Sequence, residues 1–316
     1  MARKATSPRT VLLPLDGSPF AERALPFATA LARRSGGTLR LALVHRLPAP
    51  PATRDAVRVY AAMENAVRKA EHAYLRGIAA RAAATLGRPV RSVILEGPVA
   101  RALQDHAHDI DADLVVMTTH GRGPVQRAWL GSVTDRLVRS LEVPLLLVPP
   151  PGPAGEAKAG EPTIARVLVP LDGSPRAEAA LAPATAVARL FNAELQLVQI
   201  VAPVVVVTEP PALPTGLDEE LTAIRKGAAQ DYLDDLADRL RTEGLPATAT
   251  AVLGAGAAAT LLELARPGQI DLVAIATHGR AGVPRLVLGS VADKLVRAAE
   301  LPVLVCRPPR RAAVRR

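Results

Sequence analysis

Residues 11–19 read VLLPLDGSP and residues 167–175 read VLVPLDGSP. A short aliphatic run that ends in Pro-Leu-Asp-Gly-Ser is a buried strand delivered into a tight turn. Strands covered on both faces of a parallel sheet are near-continuous in Val and Leu. Asp-Gly supplies the turn. Ser18 followed by Pro19 then opens a helix, with serine at the cap and proline in the first turn.

The duplication extends outward from these frames. THGRG at 119–123 returns as THGRAG at 277–282, LGSVTDRLVR at 130–139 as LGSVADKLVR at 288–297, and VPLLLV at 143–148 as LPVLV at 301–305. Four blocks in one order at a nearly constant offset describe a tandem repeat. PPPGPAGEAKAGEP at 149–162 has no apolar period and reads as a linker. The expected boundaries are a first domain at 9–149, a linker at 150–162, a second domain at 163–309 and a basic tail at 310–316.

Within each copy, strands alternate with helices. The first copy predicts strands near 10–15, 39–46, 90–95, 113–119 and 144–148, with a long charged helix over 56–86. The second copy places its long helix near 217–243. This alternation predicts right-handed crossovers and a doubly wound, Rossmann-like parallel sheet with helices on both faces. Pro26 and Pro183 lie inside the first helix of each copy and predict an irregularity there.

Composition narrows the function classes. Apolar residues make up 49% of the 316 and aromatic residues 2%, so the core is aliphatic. Three cations within residues 1–10 and five within 307–316 account for all but one unit of the +9 net charge. The excess therefore lies in the ends and not on a folded face, and no aromatic residues interleave with it to stack bases. This argues against a specific nucleic-acid partner. No apolar stretch is long enough to predict a membrane span. The start, MARKATSPRT, leads to an acid after only five apolar-run residues, too soon for a signal h-region. Cys306 is the single cysteine, which excludes an internal disulfide and fits a reducing cytoplasm.

The chemistry-bearing pattern follows the fourth strand of each copy. Nine residues separate Gly121 from Gly131-Ser132, and nine separate Gly279 from Gly289-Ser290. Glycine admits a close anion, and a helix N-terminus offers free amides and the positive end of the dipole, so the pattern fits phosphate. Ser132 and Ser290 also fit the capping box, with Asp135 and Asp293 three residues on. Asp16 and Asp172 close the first strands. They read as turn residues, or as acids for a metal ion or nucleoside hydroxyls if strands one and four are neighbours at a switch point. GAGAAA at 254–259 matches a dinucleotide fingerprint but lacks the acid at the end of the next strand, and the first copy reads GPVARA there. No P-loop and no metal-ligand spacing is present.

Taken together, the strand-one Pro-Leu-Asp frame, the THGR turn, the Gly-x9-Gly-Ser spacing and the last Pro-x-Leu-Val strand resemble the universal stress protein family, in its ATP-binding branch. The resemblance implies a five-stranded sheet of order 3-2-1-4-5 in each copy. It implies ATP, with Mg2+, bound in each half of a cytoplasmic stress-response module. The implied nucleotide set is Pro14, Asp16, Arg46, Thr118, Gly121, Gly131, Ser132 and Val133 in the first copy. In the second it is Pro170, Asp172, Ile200, Ala276, Gly279, Gly289, Ser290 and Val291. Thr118 and Ala276 stand where the branch's motif has its first glycine, and Arg46 and Ile200 stand for the position that packs on adenine. The resemblance also implies pairing of the halves through strand five, at 143–148 and 301–306, and allows a homodimer. A slow Mg-dependent ATPase and a nucleotide-free scaffold for partner binding are the alternatives.

Overall fold

The computed structural model describes residues 7–47, 54–119, 130–150, 160–205, 217–277 and 289–308. They fall into two compact units that part between Pro162 and Thr163. Among the described residues, no helix is long and apolar enough to cross a membrane.

The first half runs β1 (Thr10–Leu15), α1 (Pro19–Glu22), α2 (Leu25–Arg34), β2 (Thr38–Val44), α3 (Arg54–Leu86), β3 (Arg91–Leu95), α4 (Val99–Asp109), β4 (Leu114–Thr118), α5 (Ser132–Ser140) and β5 (Leu145–Val148). Its strands lie in the order β3-β2-β1-β4-β5, every pairing parallel. The second half runs β6 (Arg166–Pro170), a 3-10 turn (Ala177–Ala180), α6 (Leu181–Phe191), β7 (Glu194–Val201), α7 (Leu217–Thr242), β8 (Ala247–Leu253), α8 (Ala257–Leu264), β9 (Leu272–Ala276), α9 (Ser290–Ala298) and β10 (Val303–Cys306). Its order is β8-β7-β6-β9-β10, again all parallel. Both halves are thus doubly wound α/β units of order 3-2-1-4-5.

The central strands explain the continuous aliphatic runs. Val11, Leu12 and Leu13 of β1, and Leu146 and Leu147 of β5, are wholly buried. Helices cover both faces, so no position on these strands can alternate to polar. The outer β3 shows the reverse, with Arg91 and Ser92 exposed.

A duplicated carboxylate sets the register at the start of the central strands. Asp113 Oδ2 accepts from the amides of Arg9 and Thr10 at 2.9 and 3.0 Å. Asp271 Oδ2 does the same for Ala165 and Arg166 at 2.8 and 2.9 Å. An acid at the foot of the strand therefore serves the backbone. It lies at the end of the sheet opposite the crevice.

The prolines split the first helix as expected. α1 ends at Glu22, two residues intervene, and α2 begins at Leu25, which puts Pro26 in a first turn where its missing N–H leaves nothing unmet. In the second half the same place is a 3-10 turn, with Pro183 in the first turn of α6.

Candidate functional site

The site lies at the carboxyl ends of the strands, where β1 and β4 leave the sheet centre in opposite directions. At the end of β1, Gly17 takes φ +81°, a left-handed turn that glycine makes without strain. Asp16 Oδ1 accepts from the Ser18 amide at 2.9 Å and from the Ser18 hydroxyl at 2.6 Å. Ser18 Oγ in turn accepts from the Ala21 amide at 3.2 Å and caps α1. The second half repeats the turn, with Gly173 at φ +77°, Asp172 Oδ1 accepting from the Ser174 amide at 3.0 Å and Ser174 Oγ accepting from the Ala177 amide at 3.2 Å. Asp16 and Asp172 thus hold the turn with one carboxylate oxygen. Among the described residues, Oδ2 of Asp16 takes no hydrogen bond.

The start of α5 departs from the capping-box alternative. Gly131 is the cap residue, with no side-chain hydrogen bond, and Ser132 is the first residue inside the helix. Gly289 and Ser290 of α9 repeat this. Asp135 and Asp293, the acids of the supposed box, instead pair one turn on with Arg139 at 3.0 Å and Arg297 at 2.9 Å. The two serines are therefore not spent as caps, and the first-turn amides of α5 and α9 have no side-chain acceptor from the cap position. Behind this turn the Gly131 amide donates to Thr119 O at 3.0 Å, and the buried Thr134 hydroxyl donates to Thr118 O at 3.3 Å. These bonds fix the helix start against the end of β4.

In the first half these parts enclose a cavity of 660 Å³. Pro14 and Asp16 reach it from β1, Arg46 from beyond β2, Thr118 from β4, and Gly131, Ser132 and Val133 from α5. Its size lies within the range of small-molecule sites, about 300–1,000 Å³. In the second half Pro170, Asp172, Ile200, Ala276 and Val291 line a cavity of 110 Å³. Gly289 and Ser290 are not among its described lining residues. Gly121 and Gly279 lie outside the described residues.

Strand register corrects one equivalence. Pro14 pairs with Ala42 on β2, and Pro170 pairs with Val198 on β7. Counting on two residues, Ile200 corresponds to Val44 and not to Arg46. Val44 lines the first cavity, so both halves offer an aliphatic wall. Arg46 lies two residues beyond it, and its counterpart is Ala202. The same register puts Val198 and Ile200 where the first half has the smaller Ala42 and Val44, a thicker wall around the smaller cavity.

The repeat contained residues that motif reading passed over. Tyr74 and Glu71 of α3 line the first cavity. Tyr74 recurs as Tyr232, and Glu22 as Glu178, at the same offsets as the motifs. Comparing the two copies outside the glycine blocks finds them. Burial and the nearby Glu22 and Asp16 carboxylates push the Tyr74 hydroxyl well above its usual value, so it stays protonated. With its proton on Nδ1, His45 donates to Glu71 Oε2 at 2.7 Å, and this contact pins the end of β2 to α3.

GAGAAA also has a structural explanation. A Cβ on Gly254 would lie 2.5 Å from Thr260 Oγ1 and 3.1 Å from Ile200 Cγ2. The glycine is required by packing of α8 on β7. Among the described residues, no group of three His, Cys, Asp or Glu side chains could hold a metal ion.

The family model described as "Universal stress protein family" matches residues 8–149 and again 163–307. A universal stress protein of Mycobacterium tuberculosis is 33% identical over 198 residues, 62% of each chain, so the match spans under two thirds of that relative's length. A second from the same organism is 28% identical over 327 residues, covering 96% of each chain. Among solved structures, a universal stress protein from Archaeoglobus fulgidus superposes with a TM-score of 0.68 at 18% identity, covering 95% of this chain and 98% of its own. That likeness speaks for the fold.

Proposed function

The chain belongs to the universal stress protein family in its tandem, two-domain form, and on that premise we propose that it binds adenine nucleotide, ATP above all, as a signalling or stress-response module. The observation that carries the reading is the 660 Å³ cavity of the first half, on which Pro14, Asp16, Thr118, Gly131, Ser132 and Val133 converge from three separated segments. An aliphatic wall of Leu43 and Val44 suits the flat face of a base. The uncapped start of α5, with Ser132 in its first turn, suits phosphate. The free Oδ2 of Asp16 suits a nucleoside hydroxyl or amine.

Magnesium would come with the nucleotide and would supply charge neutralisation at its phosphates, needing at most one or two protein carboxylates. Asp16 would hold the ion through its second carboxylate oxygen where that oxygen does not take a nucleoside hydroxyl, and the chain's part is to orient the nucleotide.

The second half carries the same turn and helix start around a smaller cavity, and the reading assigns it the weaker site. Calorimetric titration of the full chain with ATP and magnesium, after removal of co-purified nucleotide, tests this. One tight site per chain, with or without a weaker second, is expected. No heat of binding, and no nucleotide released on denaturation, would leave a scaffold with two empty crevices.

A further inference from the structure

A second hollow of 270 Å³ adjoins the first-half cavity and shares Arg46, Val99, Ser132 and Val133 with it. Its distinctive feature is a pair of guanidiniums, Arg46 from the end of β2 and Arg136 from the second turn of α5. Both are exposed, and among the described residues neither forms an ion pair. The acids nearby in sequence are already engaged. Asp135 pairs with Arg139 at 3.0 Å, Glu96 with Arg68 at 2.8 Å, and Asp105 with Arg101 at 2.7 Å. Among the described residues, two positive charges therefore line one hollow with no carboxylate paired to either. Gly97 at φ +100° leads the chain over the hollow into α4, whose cap residue Pro98 offers no side-chain acceptor.

Geometry fixes which end of a ligand reaches this hollow. The residues it shares with the main cavity include Ser132 and Val133, at the phosphate end of the proposed site, and none from the Asp16 turn. The base and ribose lie on the other side. We propose that Arg46 and Arg136 seat the outer phosphates of a nucleoside polyphosphate, so that the first half selects ligands by phosphate number. This rests on the nucleotide reading and adds a selectivity to it. Guanidinium is the apt group, because its planar fork meets phosphate oxygens two at a time. The His45–Glu71 contact anchors the residue before Arg46, and a helix carries Arg136, so neither backbone needs to be ordered on binding. In the second half these positions are Ala202 and Lys294. That half keeps one cation and loses the fork, and the same preference is absent from it.

The test titrates ATP and AMP, each with magnesium, into the full chain and into Arg46→Gln, Arg136→Gln and the double variant. Lys294→Gln is the second-half control. Wild type is expected to bind ATP about tenfold or more tighter than AMP at its tight site. The double variant is expected to lose most of that ratio by weakening ATP alone, with AMP affinity unchanged. Each single variant falls between, and Lys294→Gln leaves the tight site as it was. Both arginines are exposed and outside ion pairs, so the variants should melt with wild type. Equal affinity for ATP and AMP in wild type, or an undiminished ratio in the double variant, overturns the seat while nucleotide binding stands. No binding of either nucleotide by wild type overturns the nucleotide reading and this one with it.

Discussion

The Tyr232 hydroxyl donates to Glu178 Oε1 across 3.0 Å, tying α7 to the 3-10 turn that follows the Asp172 loop. At the equivalent place in the first half, Glu22 is taken by Arg81. The Tyr74 hydroxyl is buried near Glu22, but by its geometry it has no hydrogen-bond partner among the described residues. One sequence relationship, repeated, has produced a closed tie in one half and an open one in the other.

Removing the two hydroxyls should therefore have unequal effects. Tyr232→Phe breaks a bond to a carboxylate and should cost roughly 1 kcal/mol of stability, the part-exposed setting keeping it modest. Tyr74→Phe removes a buried group that has no partner among the described residues, and should leave stability unchanged or raise it slightly. Denaturant midpoints of the two variants beside wild type decide the matter. Equal losses would mean that the tie is closed in both halves.

Asp16→Asn separates the turn from the ligand. Asparagine keeps an Oδ1 acceptor for the Ser18 amide and hydroxyl, so stability should hold within about 0.5 kcal/mol. The loss of charge should weaken Mg-ATP binding several-fold. If the chain turns ATP over at all, loss of turnover with binding retained would favour the slow ATPase. A large drop in melting temperature would show instead that the charge itself holds the turn.

The strand-foot carboxylates make a purely structural prediction. Asp271→Ala leaves the Ala165 and Arg166 amides without their shared acceptor and should cost about 1–3 kcal/mol. Asp113→Ala should behave alike in the first half. Nucleotide affinity of the folded variants should not change, because these residues lie at the opposite end of the sheet. A titration beside each melt checks both statements.

Cys306 reports on opening of the second half. It is wholly buried in β10, and burial pushes its thiol far above the usual range. The thiolate is the reactive form, so labelling by a thiol reagent should be negligible in the native protein and rapid in denaturant. Fast labelling under native conditions would mean that β10 detaches readily.

Burial holds His106 below its ordinary value, with Asp109 opposing and Arg40 assisting. The folded chain takes up this proton less readily than the unfolded one. Stability from this group is therefore present above the ordinary imidazole value, about 6.5, and is lost as pH falls below it. His106→Gln should shrink the difference in unfolding midpoint between pH 8 and pH 5.5. An unchanged difference would assign the pH dependence to other groups.

Much of this was legible in the sequence. The repeat, the strand-helix alternation, the Ser18 cap and the helix start at Ser132 follow from local rules: residue type sets φ, hydrogen-bond capacity and burial within a few positions. Strand order 3-2-1-4-5 came with the family resemblance, and the parallel pairings bear it out. What the sequence could not decide were relations between residues far apart in the chain. The register of β2 against β1 is set by side-chain packing across the sheet, and it fixes Val44, not Arg46, as the residue that answers Ile200. Whether Ser132 caps or stands inside the helix depends on the backbone angle at Gly131, fixed by the Gly131–Thr119 hydrogen bond. The difference between cavities of 660 and 110 Å³ sums several small side-chain changes that meet only when three strands and the helices around their ends are brought together. The sequence by itself determined that there are two halves of one kind. Tertiary packing, which converts a methyl group on a strand into volume at a site, decided that the two are not equivalent.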